Sequence, residues 1–449
     1  MEKLFNKILV ANRGEIAVRV IRTLKKMQIK SVAVYSEADK DSLHVKMADQ
    51  AFLIGGPRVN ESYLKIEKII EVAKTAGVDA IHPGYGLLSE NPLFAKRCQD
   101  EGIVFIGPKA DVIKKMGSKI EARKIMESIG VPIIPGNSQP LTDVNKAITA
   151  ADDLGYPVML KASAGGGGIG MQIIRDKNEL MTAFEGNQKR AKDFFGDGSM
   201  FLEKYIENPR HIEIQILADN YRNTVFLWER ECSIQRRHQK VIEEAPSPFL
   251  DEATRIKMGE TAVKAVSHIN YSNAGTIEFI VDQDKNFYFL EMNTRLQVEH
   301  PVTEEITGFD LVEYQIRIAA DEELNFSQDD VKRDGHAIEA RIYAEDPDTF
   351  FPSPGKITKL EMPTGEFIRH ELSIIDGTVI TPFYDPMIAK LIVKGKNRQD
   401  AVEKINMALN EYKIEGIKTN IPMLLKVFSN EEFKNGNTTT NFIGKYLTK

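Results

Sequence analysis

The N-terminal quarter of the sequence alternates short apolar runs with helical patterns, and this alternation restricts the possible fold more than any other feature. Helical patterns lie between the first two runs (EIAVRVIRTLKKM) and between the third and fourth (YLKIEKIIEVAKTA). Strands that alternate with helices form parallel sheets. We therefore predict a parallel α/β domain over residues 1–114. Its strands are KILVA (7–11), SVAVYS (31–36), AFLIG (51–55), DAIHPG (79–84) and IVFIG (103–107).

Composition and charge exclude several classes of protein. The chain has 449 residues, of which 42% are hydrophobic and 28% charged, and its net charge is −6. This is the balance of a globular domain protein without the basic footprint of nucleic-acid binding. No apolar run reaches the ~20 residues of a membrane span, and MEKLFNKILVANRGE lacks the parts of a signal peptide. Two distant cysteines, Cys98 and Cys232, form no metal spacing, so we expect a cytoplasmic protein.

A glycine run stands between two predicted strands. KASAGGGGIG (161–170) follows YPVMLK (156–161) and precedes MQIIR (171–175). A strand on each side makes this a hairpin, unlike the strand–loop–helix of a Walker A site, and G-x-x-x-x-G-K-[ST] is absent. Glycine lets backbone N–H groups approach phosphate oxygens without obstruction by a Cβ. The run predicts a phosphate-binding hairpin flap.

The remaining chain mixes strands and helices. Residues 109–130 have a helical pattern that ends at Gly130, and the prolines of VPIIPG (131–136) mark a boundary. A second boundary lies near the polar stretch FSQDDVKRDG (326–335), which precedes a mixed α+β region. We predict further strands at 200–203, 211–218, 223–230, 276–281 and 287–292, and a long helix over 251–268.

Two glutamates are expected to face each other across a hairpin. The segment TIEFIVDQDKNFYFLEMN (276–293) contains two strand patterns around the turn DQDKN. With the loop centred on Asp284–Lys285, Glu278 lies directly opposite Glu291. Like charges at directly opposed positions destabilise a sheet. A hard divalent cation, Mg²⁺ above all beside phosphates, is the natural way to offset that repulsion.

Polar residues then recur at every second position. Between them stand Met292, Thr294, Leu296 and Val298, which are mostly apolar. Because a strand directs alternate side chains to opposite faces, we predict a strand that continues through residue 299 with one polar face. A solvated sheet face is the alternative, but the opposed glutamates and the poor strand former Asn favour a functional one. The polar residues are Glu291, Asn293, Arg295, Gln297 and Glu299.

These segments together resemble the biotin carboxylase family of ATP-grasp enzymes along the whole chain. The most specific stretches are EMNTRLQVEHPVTE (291–304) and RRHQKVIEEAPSP (236–248). AIHPGYGLLSEN, MGSK, the glycine run, EKYIENPRHIEIQ, AEDP and PSPGKI extend the resemblance. It implies a Rossmann-like domain (1–114), an ATP-grasp domain (115–330) with a mobile lid at about 132–206, and a C-terminal α+β domain (331–449).

The resemblance also implies where ATP and its metal ions bind. One residue departs from the pattern, because the family commonly carries arginine or lysine where this chain has Ile169. Glu278 and Glu291 correspond to the ligands of Mg²⁺ or Mn²⁺, with Asn293 as a further ligand. The nucleotide residues are Lys119, Lys161, Gly167, Gly168, Glu203, Lys204, Tyr205, Ile206, His211, Gln235 and His238.

Bicarbonate and biotin have their own implied residues. Glu299 corresponds to the base that deprotonates bicarbonate, which a carboxylate in contact with it can do. Arg341 corresponds to the arginine that stabilises the biotin enolate, and Tyr85 to a neighbouring substrate contact. The bicarbonate pocket is implied to contain Lys240, Arg295, Gln297 and Val298. The catalytic set is Lys240, Arg295, Glu299 and Arg341.

Partners follow from the resemblance and from two absences. No Met-Lys-Met biotin-attachment motif occurs, and no length remains for a carboxyltransferase. We therefore expect a separate biotin carboxyl carrier protein, carboxyltransferase subunits and a homodimer. Acetyl-CoA carboxylase is the expected complex, and a split pyruvate carboxylase or another acyl-CoA carboxylase is the alternative. A non-catalytic ATP-binding regulator is a further alternative, against which Glu299, Arg295 and Arg341 argue, since binding ATP needs none of them. Another ATP-grasp ligase, joining an acid to an amine, fits these segments poorly.

Overall fold

The computed structural model describes residues 5–137, 139–162, 171–195 and 198–447. The expectations for Gly167, Gly168 and Ile169 lie outside these residues. The helices are α1 Gly14–Lys26, α2 Leu43–Met47, α3 Ile66–Ala76, α4 Pro92–Asp100, α5 Ala110–Gly117, α6 Lys119–Ser128, α7 Val144–Leu154, α8 Lys177–Phe195, α9 Glu252–His268, α10 His300–Thr307, α11 Leu311–Ala319, α12 Arg398–Glu411, α13 Ile421–Ser429, α14 Glu431–Lys434 and α15 Phe442–Tyr446. The strands are β1 Lys7–Val10, β2 Lys30–Ser36, β3 Gln50–Gly55, β4 Ala80–His82, β5 Val104–Phe105, β6 Val158–Ala162, β7 Met171–Ile174, β8 Met200–Lys204, β9 Arg210–Ala218, β10 Thr224–Arg236, β11 Gln239–Ala245, β12 Asn273–Val281, β13 Phe287–Asn293, β14 His336–Tyr343, β15 Gly355–Lys356, β16 Lys359–Glu361, β17 Ile368–Leu372, β18 Val379–Ile380, β19 Met387–Gly395 and β20 Lys413–Glu415.

The N-terminal region is the predicted parallel sheet. Its strand order is β3-β2-β1-β4-β5, and all of its neighbours pair in parallel. The α1 helix buries its apolar stripe, including Ile16, Val20 and Leu24, in the core under this sheet. Beyond the ends of β1 and β4, Asn12 Nδ2 donates to the carbonyls of Pro83 at 2.7 Å and Tyr85 at 2.8 Å. This contact fixes the loop that carries Tyr85 at the carboxyl edge of the sheet, where open α/β sheets bind ligands.

A second sheet of eight strands runs through the rest of the chain. Its order is β13-β12-β9-β10-β11-β14-β19-β17. The strands are joined antiparallel, so one continuous surface extends from the predicted glutamate hairpin to the C-terminal region. The β11–β14 pairing bridges the two sides of the boundary expected near residue 330. Side chains from widely separated segments therefore meet on this surface.

A small sheet with its own core flanks the glycine run. The strands on either side of the run, β6 and β7, pair antiparallel from Val158↔Ile174 to Lys161↔Met171, which confirms the predicted hairpin. β8 pairs with the other edge of β6. Leu160, Phe184 and Leu202 belong to a separate apolar cluster with α7 and α8. A unit with its own core can move as one body.

One predicted helix and one predicted strand differ from the structure in their length. Residues 109–130 form two helices, α5 and α6, because the Ser118 side chain accepts a hydrogen bond from Glu121 N and starts a new helix. The strand predicted through residue 299 ends at Asn293. From there the chain is irregular until α10 begins at His300.

Neither cysteine is exposed, and burial raises the pKa of the Cys98 thiol to about 12. Among the described helices, none combines the length and apolar character that crossing a lipid bilayer would need.

Candidate active site

The two glutamates expected to oppose each other do so. Glu278 on β12 is the direct partner of Glu291 on β13. Next to the turn, Phe279 pairs with Phe289, so the hairpin is centred on Asp284 and not between Asp284 and Lys285 as expected. A bulge at Leu290 then brings Glu278 opposite Glu291. The predicted pairing is thus confirmed, although the shifted turn and the bulge were not predicted and cancel each other's effect on the register. A bulge beside an active site redirects a side chain, here that of Glu291.

The segment after β13 brings its polar side chains together without forming a strand. Asn293 Nδ2 donates to Glu278 Oε1 at 2.8 Å, and Gln297 Nε2 donates to the same oxygen at 2.9 Å. Arg295 Nη2 donates to Asn293 Oδ1 at 3.0 Å. The expected grouping is therefore confirmed, while the expected β-strand is not. Period-two spacing predicted the direction of these side chains but not the backbone that carries them.

Lys240 is the cationic centre of the site. Its Nζ lies 2.6 Å from Glu213 Oε2, 2.8 Å from Glu278 Oε1 and 2.6 Å from Glu299 Oε1. Although burial lowers the pKa of an ammonium group, the three carboxylates outweigh it and raise the pKa of Lys240 well above its usual value. Lys240 therefore stays protonated.

Glu299 lies between two cations. Its Oε1 faces Lys240, and its Oε2 lies 3.0 Å from Arg341 Nη2. Burial raises the pKa of a carboxyl group, but Lys240 and Arg341 more than offset this and hold the pKa of Glu299 below its usual range. Glu299 is a buried carboxylate that stays ionised, with both oxygens engaged.

The pKa values of the two opposed glutamates are shifted in opposite directions, which bears on metal binding. Burial opposes ionisation of Glu278, yet Lys240 and His211 hold its pKa well below the usual range. His211 Nε2 lies 2.8 Å from Glu278 Oε2, while Gln235 Nε2 donates to His211 Nδ1 at 2.8 Å. Burial and the charge of Glu278 raise the pKa of Glu291, which has Lys119 Nζ 3.8 Å away. A divalent cation between the two carboxylates would offset both the burial and the neighbouring negative charge that raise the pKa of Glu291. The pair is therefore a suitable site for such a cation.

A cavity of about 1230 Å³ joins the site to the flap. Glu203, on its wall, accepts from Arg123 Nη1 at 2.9 Å and also pairs with Lys161. Arg237 and His238 lie in the β10–β11 turn with φ of 50° and 66°, a costly left-handed backbone that places both side chains on the cavity. The predicted site residues on its described wall are Lys119, Lys161, Glu203, His211, Gln235, His238, Lys240, Glu278, Glu291, Asn293, Arg295, Gln297, Val298, Glu299 and Arg341.

Four predicted contacts lie off that wall. Lys204 Nζ donates to the Gly155 carbonyl at 2.7 Å instead of facing the cavity. The Tyr85 hydroxyl is hydrogen-bonded to Glu15. The four residues absent from the described cavity wall are Tyr85, Lys204, Tyr205 and Ile206.

Sequence reasoning missed the carboxylates behind the site. Glu213, on β9, lies between Lys240 and the buried Arg230, whose Nε is 2.6 Å from Glu213 Oε1. Glu243 Oε1 lies 2.6 Å from Arg341 Nη2, and burial raises the pKa of Glu243 to about 7. Glu90 Oε2 accepts from Arg295 Nε at 2.8 Å. Charged residues inside HIEIQILA and KVIEEA were a signal, because a central strand seldom buries a glutamate without a partner.

Three sequence-family profiles match the chain in succession. Residues 4–113 match "Biotin carboxylase, N-terminal domain". Residues 118–327 match "Carbamoyl-phosphate synthase L chain, ATP binding domain". Residues 339–445 match "Biotin carboxylase C-terminal domain".

Individual relatives match over nearly the full chain. Biotin carboxylase 2 of Bacillus subtilis is 64% identical over 444 residues, which cover 99% of this chain and 100% of the relative. A pyruvate carboxylase subunit of Methanothermobacter thermautotrophicus is 53% identical, over 99% of this chain and 90% of the relative. A crystal structure of the biotin carboxylase domain dimer of Hydrogenobacter thermophilus 2-oxoglutarate carboxylase, in complex with MgADP, ADP and bicarbonate, has a TM-score of 0.91 at 50% identity. It covers 98% of this chain, which covers 97% of that domain.

Proposed function

The chain belongs to the biotin carboxylase family, and we propose that it carboxylates biotin for acetyl-CoA carboxylase, in the first half-reaction of fatty acid synthesis. As a member of this family it is an ATP-dependent ligase whose reaction is the carboxylation of biotin. One observation carries the proposed chemistry. A buried Glu299 held between Lys240 and Arg341 opens on the same cavity as the opposed Glu278–Glu291 pair.

ATP is proposed to bind between the flap and the eight-stranded sheet. Lys119 and Lys161 both line the cavity and would supply positive charge for the phosphates. Because Lys161 pairs with Glu203 in this structure, phosphates would compete with that carboxylate for it. By its resemblance to the family, the segment from Glu203 to Ile206 would contact the base, although only Glu203 of these four residues lies on the described cavity wall. Gln235, His211 and His238 would lie beside the nucleotide.

The metal carboxylates are proposed to be Glu278 and Glu291, with Asn293 as a further ligand. Mg²⁺ or Mn²⁺ would neutralise phosphate charge during transfer. Asn293 Oδ1 accepts from Arg295 and its Nδ2 donates to Glu278, so its amide bridges the metal side to the bicarbonate side of the site. The residues present fit this cation because they offer hard oxygen donors at one place.

Bicarbonate is proposed to bind among Lys240, Arg295, Gln297 and Val298. As an anion, it would draw Lys240 and Arg341 partly away from Glu299. With less positive charge near it, Glu299 becomes a stronger base and takes the bicarbonate proton. The deprotonated oxygen then attacks the γ-phosphorus, ADP leaves, and carboxyphosphate forms within a site that excludes water.

Biotin is proposed to enter on a separate carrier protein. Carboxyphosphate releases CO₂ and phosphate, and the phosphate removes the N1′ proton of biotin. Arg341 stabilises the resulting enolate, which attacks CO₂. Carboxyltransferase subunits would then use the carboxybiotin. A homodimer is proposed by similarity to the Hydrogenobacter thermophilus domain dimer.

The base assignment can be tested with Glu299→Gln. This variant keeps the shape of the side chain but removes its ability to accept a proton. With free biotin, ATP, Mg²⁺ and bicarbonate, we expect bicarbonate-dependent phosphate release to fall by about 100-fold or more while MgADP binding by calorimetry is retained. Unchanged turnover in the variant would remove Glu299 from the base role. If the unmodified chain itself shows no bicarbonate-stimulated release, the proposed reaction fails.

A split pyruvate carboxylase is the second candidate. The 53% identity to a pyruvate carboxylase subunit over almost the full chain supports it. Affinity purification of the tagged chain from its own cells separates the two complexes. Recovery of an acetyl-CoA carboxyltransferase supports the first candidate, and recovery of a pyruvate carboxyltransferase supports the second.

A further inference from the structure

Lys390, on β19, is a fully buried lysine with no role in the reaction described above. Its Nζ donates to the carbonyl oxygen of Val298 at 2.5 Å. Two carboxylates lie farther away, Glu15 Oε1 at 3.4 Å and Glu339 Oε2 at 3.9 Å. A buried ammonium group is costly unless it is hydrogen-bonded and paired. The shortest of its contacts is to the peptide that immediately precedes Glu299.

Lys390 has a like charge opposite it on one neighbouring strand and the carboxylate of Glu371 opposite it on the other. Lys390 is the direct cross-strand partner of Arg341 on β14. Directly opposed like charges destabilise a sheet, so each cation needs a nearby acceptor. Arg341 reaches the carboxylate of Glu299, and Lys390 reaches the carbonyl of Val298. Arg341 on β14 and Lys390 on β19 therefore hold two consecutive residues, Glu299 and Val298, in the turn that precedes α10.

Side-chain contacts, and not strand pairing, hold that turn. Glu299 is the N-cap of α10, but its side chain makes no capping hydrogen bond because it faces Lys240 and Arg341 instead. His300 Nδ1 lies 2.8 Å from the Gln297 carbonyl, where it donates. The carbonyls of Gln297 and Val298 are thus each held by a buried side chain. No strand pairing fixes residues 294–299 in the described sheet.

We propose that Lys390 is a positioning residue for the carboxylation reaction: by holding the Val298 carbonyl, it fixes the Glu299 carboxylate between Lys240 and Arg341. This inference rests on the proposed role of Glu299 as the base. Lys390 does not itself belong to the described cavity wall, so it acts through Glu299 rather than on a substrate. A displacement of about 1 Å of a reacting group can cost about 100-fold in rate.

Lys390→Met tests the proposal, since it keeps the length of the side chain and removes the donor. We expect kcat of bicarbonate-dependent ATP hydrolysis to fall about 10- to 100-fold. The KM for ATP and the Kd for MgADP should stay within about two-fold, because neither depends on Glu299. Lys394→Met is the matched control. Lys394 is on the same face of β19 and only partly buried, and its Nζ is 3.0 Å from Asp334, so its loss should leave all three constants unchanged.

Each outcome decides the proposal. A kcat within about two-fold of the unmodified enzyme overturns it, and so does a loss of MgADP affinity that matches the loss of kcat, which would indicate general damage. The same constants are measured for Glu299→Gln and for Lys390→Met. If Glu299→Gln loses turnover and Lys390→Met does not, only this inference fails. If Glu299→Gln keeps turnover, the proposed base fails and this inference with it.

A variant that keeps the polarity covers the case in which Lys390→Met does not fold. Lys390→Gln retains a donor, but its shorter side chain ends short of the Val298 carbonyl. The same pattern is expected: a lower kcat with unchanged nucleotide constants. Full kcat in Lys390→Gln would overturn the proposal.

Discussion

Arg230 is the buried residue on which the charges of the site depend. Its Nε pairs with Glu213, and its other nitrogens donate to Gln215 Oε1 at 2.6 Å, Thr303 Oγ1 at 2.9 Å and Thr276 Oγ1 at 3.2 Å. Glu213 in turn holds Lys240. The position of Lys240 among its carboxylates is therefore set partly by a side chain that never meets the cavity.

Arg230→Met is expected to cost about 3–5 kcal/mol in the free energy of unfolding, since it leaves Glu213 buried with one cation fewer. Arg317→Met is the control. Arg317 is 38% exposed and pairs with Glu313 and Glu322 on the surface, so its loss should cost less than about 1 kcal/mol. Urea unfolding of both variants measures the difference. Similar costs would show that the Arg230 network adds no stability beyond a surface pair.

The sequence predicted the residues that line the cavity better than the buried residues that support them. Glu278 and Glu291 could be placed near each other because both lie on one hairpin. Their direct pairing also depends on the bulge at Leu290, which compensates for the shifted turn. Arg230 and Glu213 lie on separate strands, and their contact depends on a β9–β10 register that itself contains a shift between Phe226 and Glu229. No local pattern encodes such a contact. The resemblance to a known family supplied Arg341 for the same reason.

At the scale of elements, α9 packs against β10 through a glycine. A Cβ at Gly259 would lie 2.6–2.7 Å from the Phe226 ring, which is itself buried. Gly259→Ala should therefore lower the melting temperature, because overpacking of about 1–3 kcal/mol exceeds the helix-propensity gain of about 1 kcal/mol. Gly186 in α8 has open space around it, and Gly186→Ala should raise the melting temperature or leave it unchanged. A higher melting temperature for Gly259→Ala would contradict this packing.

The end of β4 carries a neutral histidine. His82 Nδ1 accepts from Gly84 N at 3.0 Å, and Nε2 faces Gln315 Oε1 at 3.1 Å. Burial lowers the pKa of His82 to about 4. The unfolded chain therefore binds a proton at His82 below pH ~6.5 that the folded chain does not, and stability is lost as the pH falls from there toward 4.

A non-titrating variant isolates this effect. Between pH 7.5 and pH 5, the free energy of unfolding of the unmodified chain should fall by about 2 kcal/mol relative to that of His82→Gln. Urea unfolding of both proteins at the two pH values provides the measurement. A difference that stays constant with pH would show that the pKa of His82 is the same in the folded and the unfolded chain, which would contradict the shift caused by burial.

Element boundaries depended on contacts that the sequence does not display. The alternation of apolar runs predicted the parallel sheet, because hydrophobic period and length are local properties. Ser118 interrupts a continuous helical pattern, since a serine is compatible with either a helix interior or a cap until its neighbours are placed. The polar segment after Asn293 kept the spacing of a strand but gained no partner strand, so hydrogen bonds to side chains replaced pairing.

At the scale of the whole molecule, the unit formed by β6, β7, β8, α7 and α8, here called the flap unit, is expected to close over the cavity. It has its own sheet and core, and Lys161 and Glu203 bring its inner edge to the site. We expect fluorescence energy transfer between dyes on Lys189→Cys in α8 and Glu260→Cys in α9 to change when ATP and Mg²⁺ are added. Both positions are exposed, while Cys98 and Cys232 are buried and would escape labelling. An identical signal with and without nucleotide would argue against closure.

The order of strands in the large sheet has a consequence for biosynthesis. A ribosome delivers the chain from its N-terminus, and segments fold as they emerge. The strands that carry Glu278 and Glu291 emerge before β14 and β19, which carry Arg341 and Lys390. With the roles proposed above, a nascent chain completes the nucleotide and metal side first and receives the residues that couple ATP to biotin last. We therefore expect half-made chains to consume little ATP before Arg341 and Lys390 have emerged.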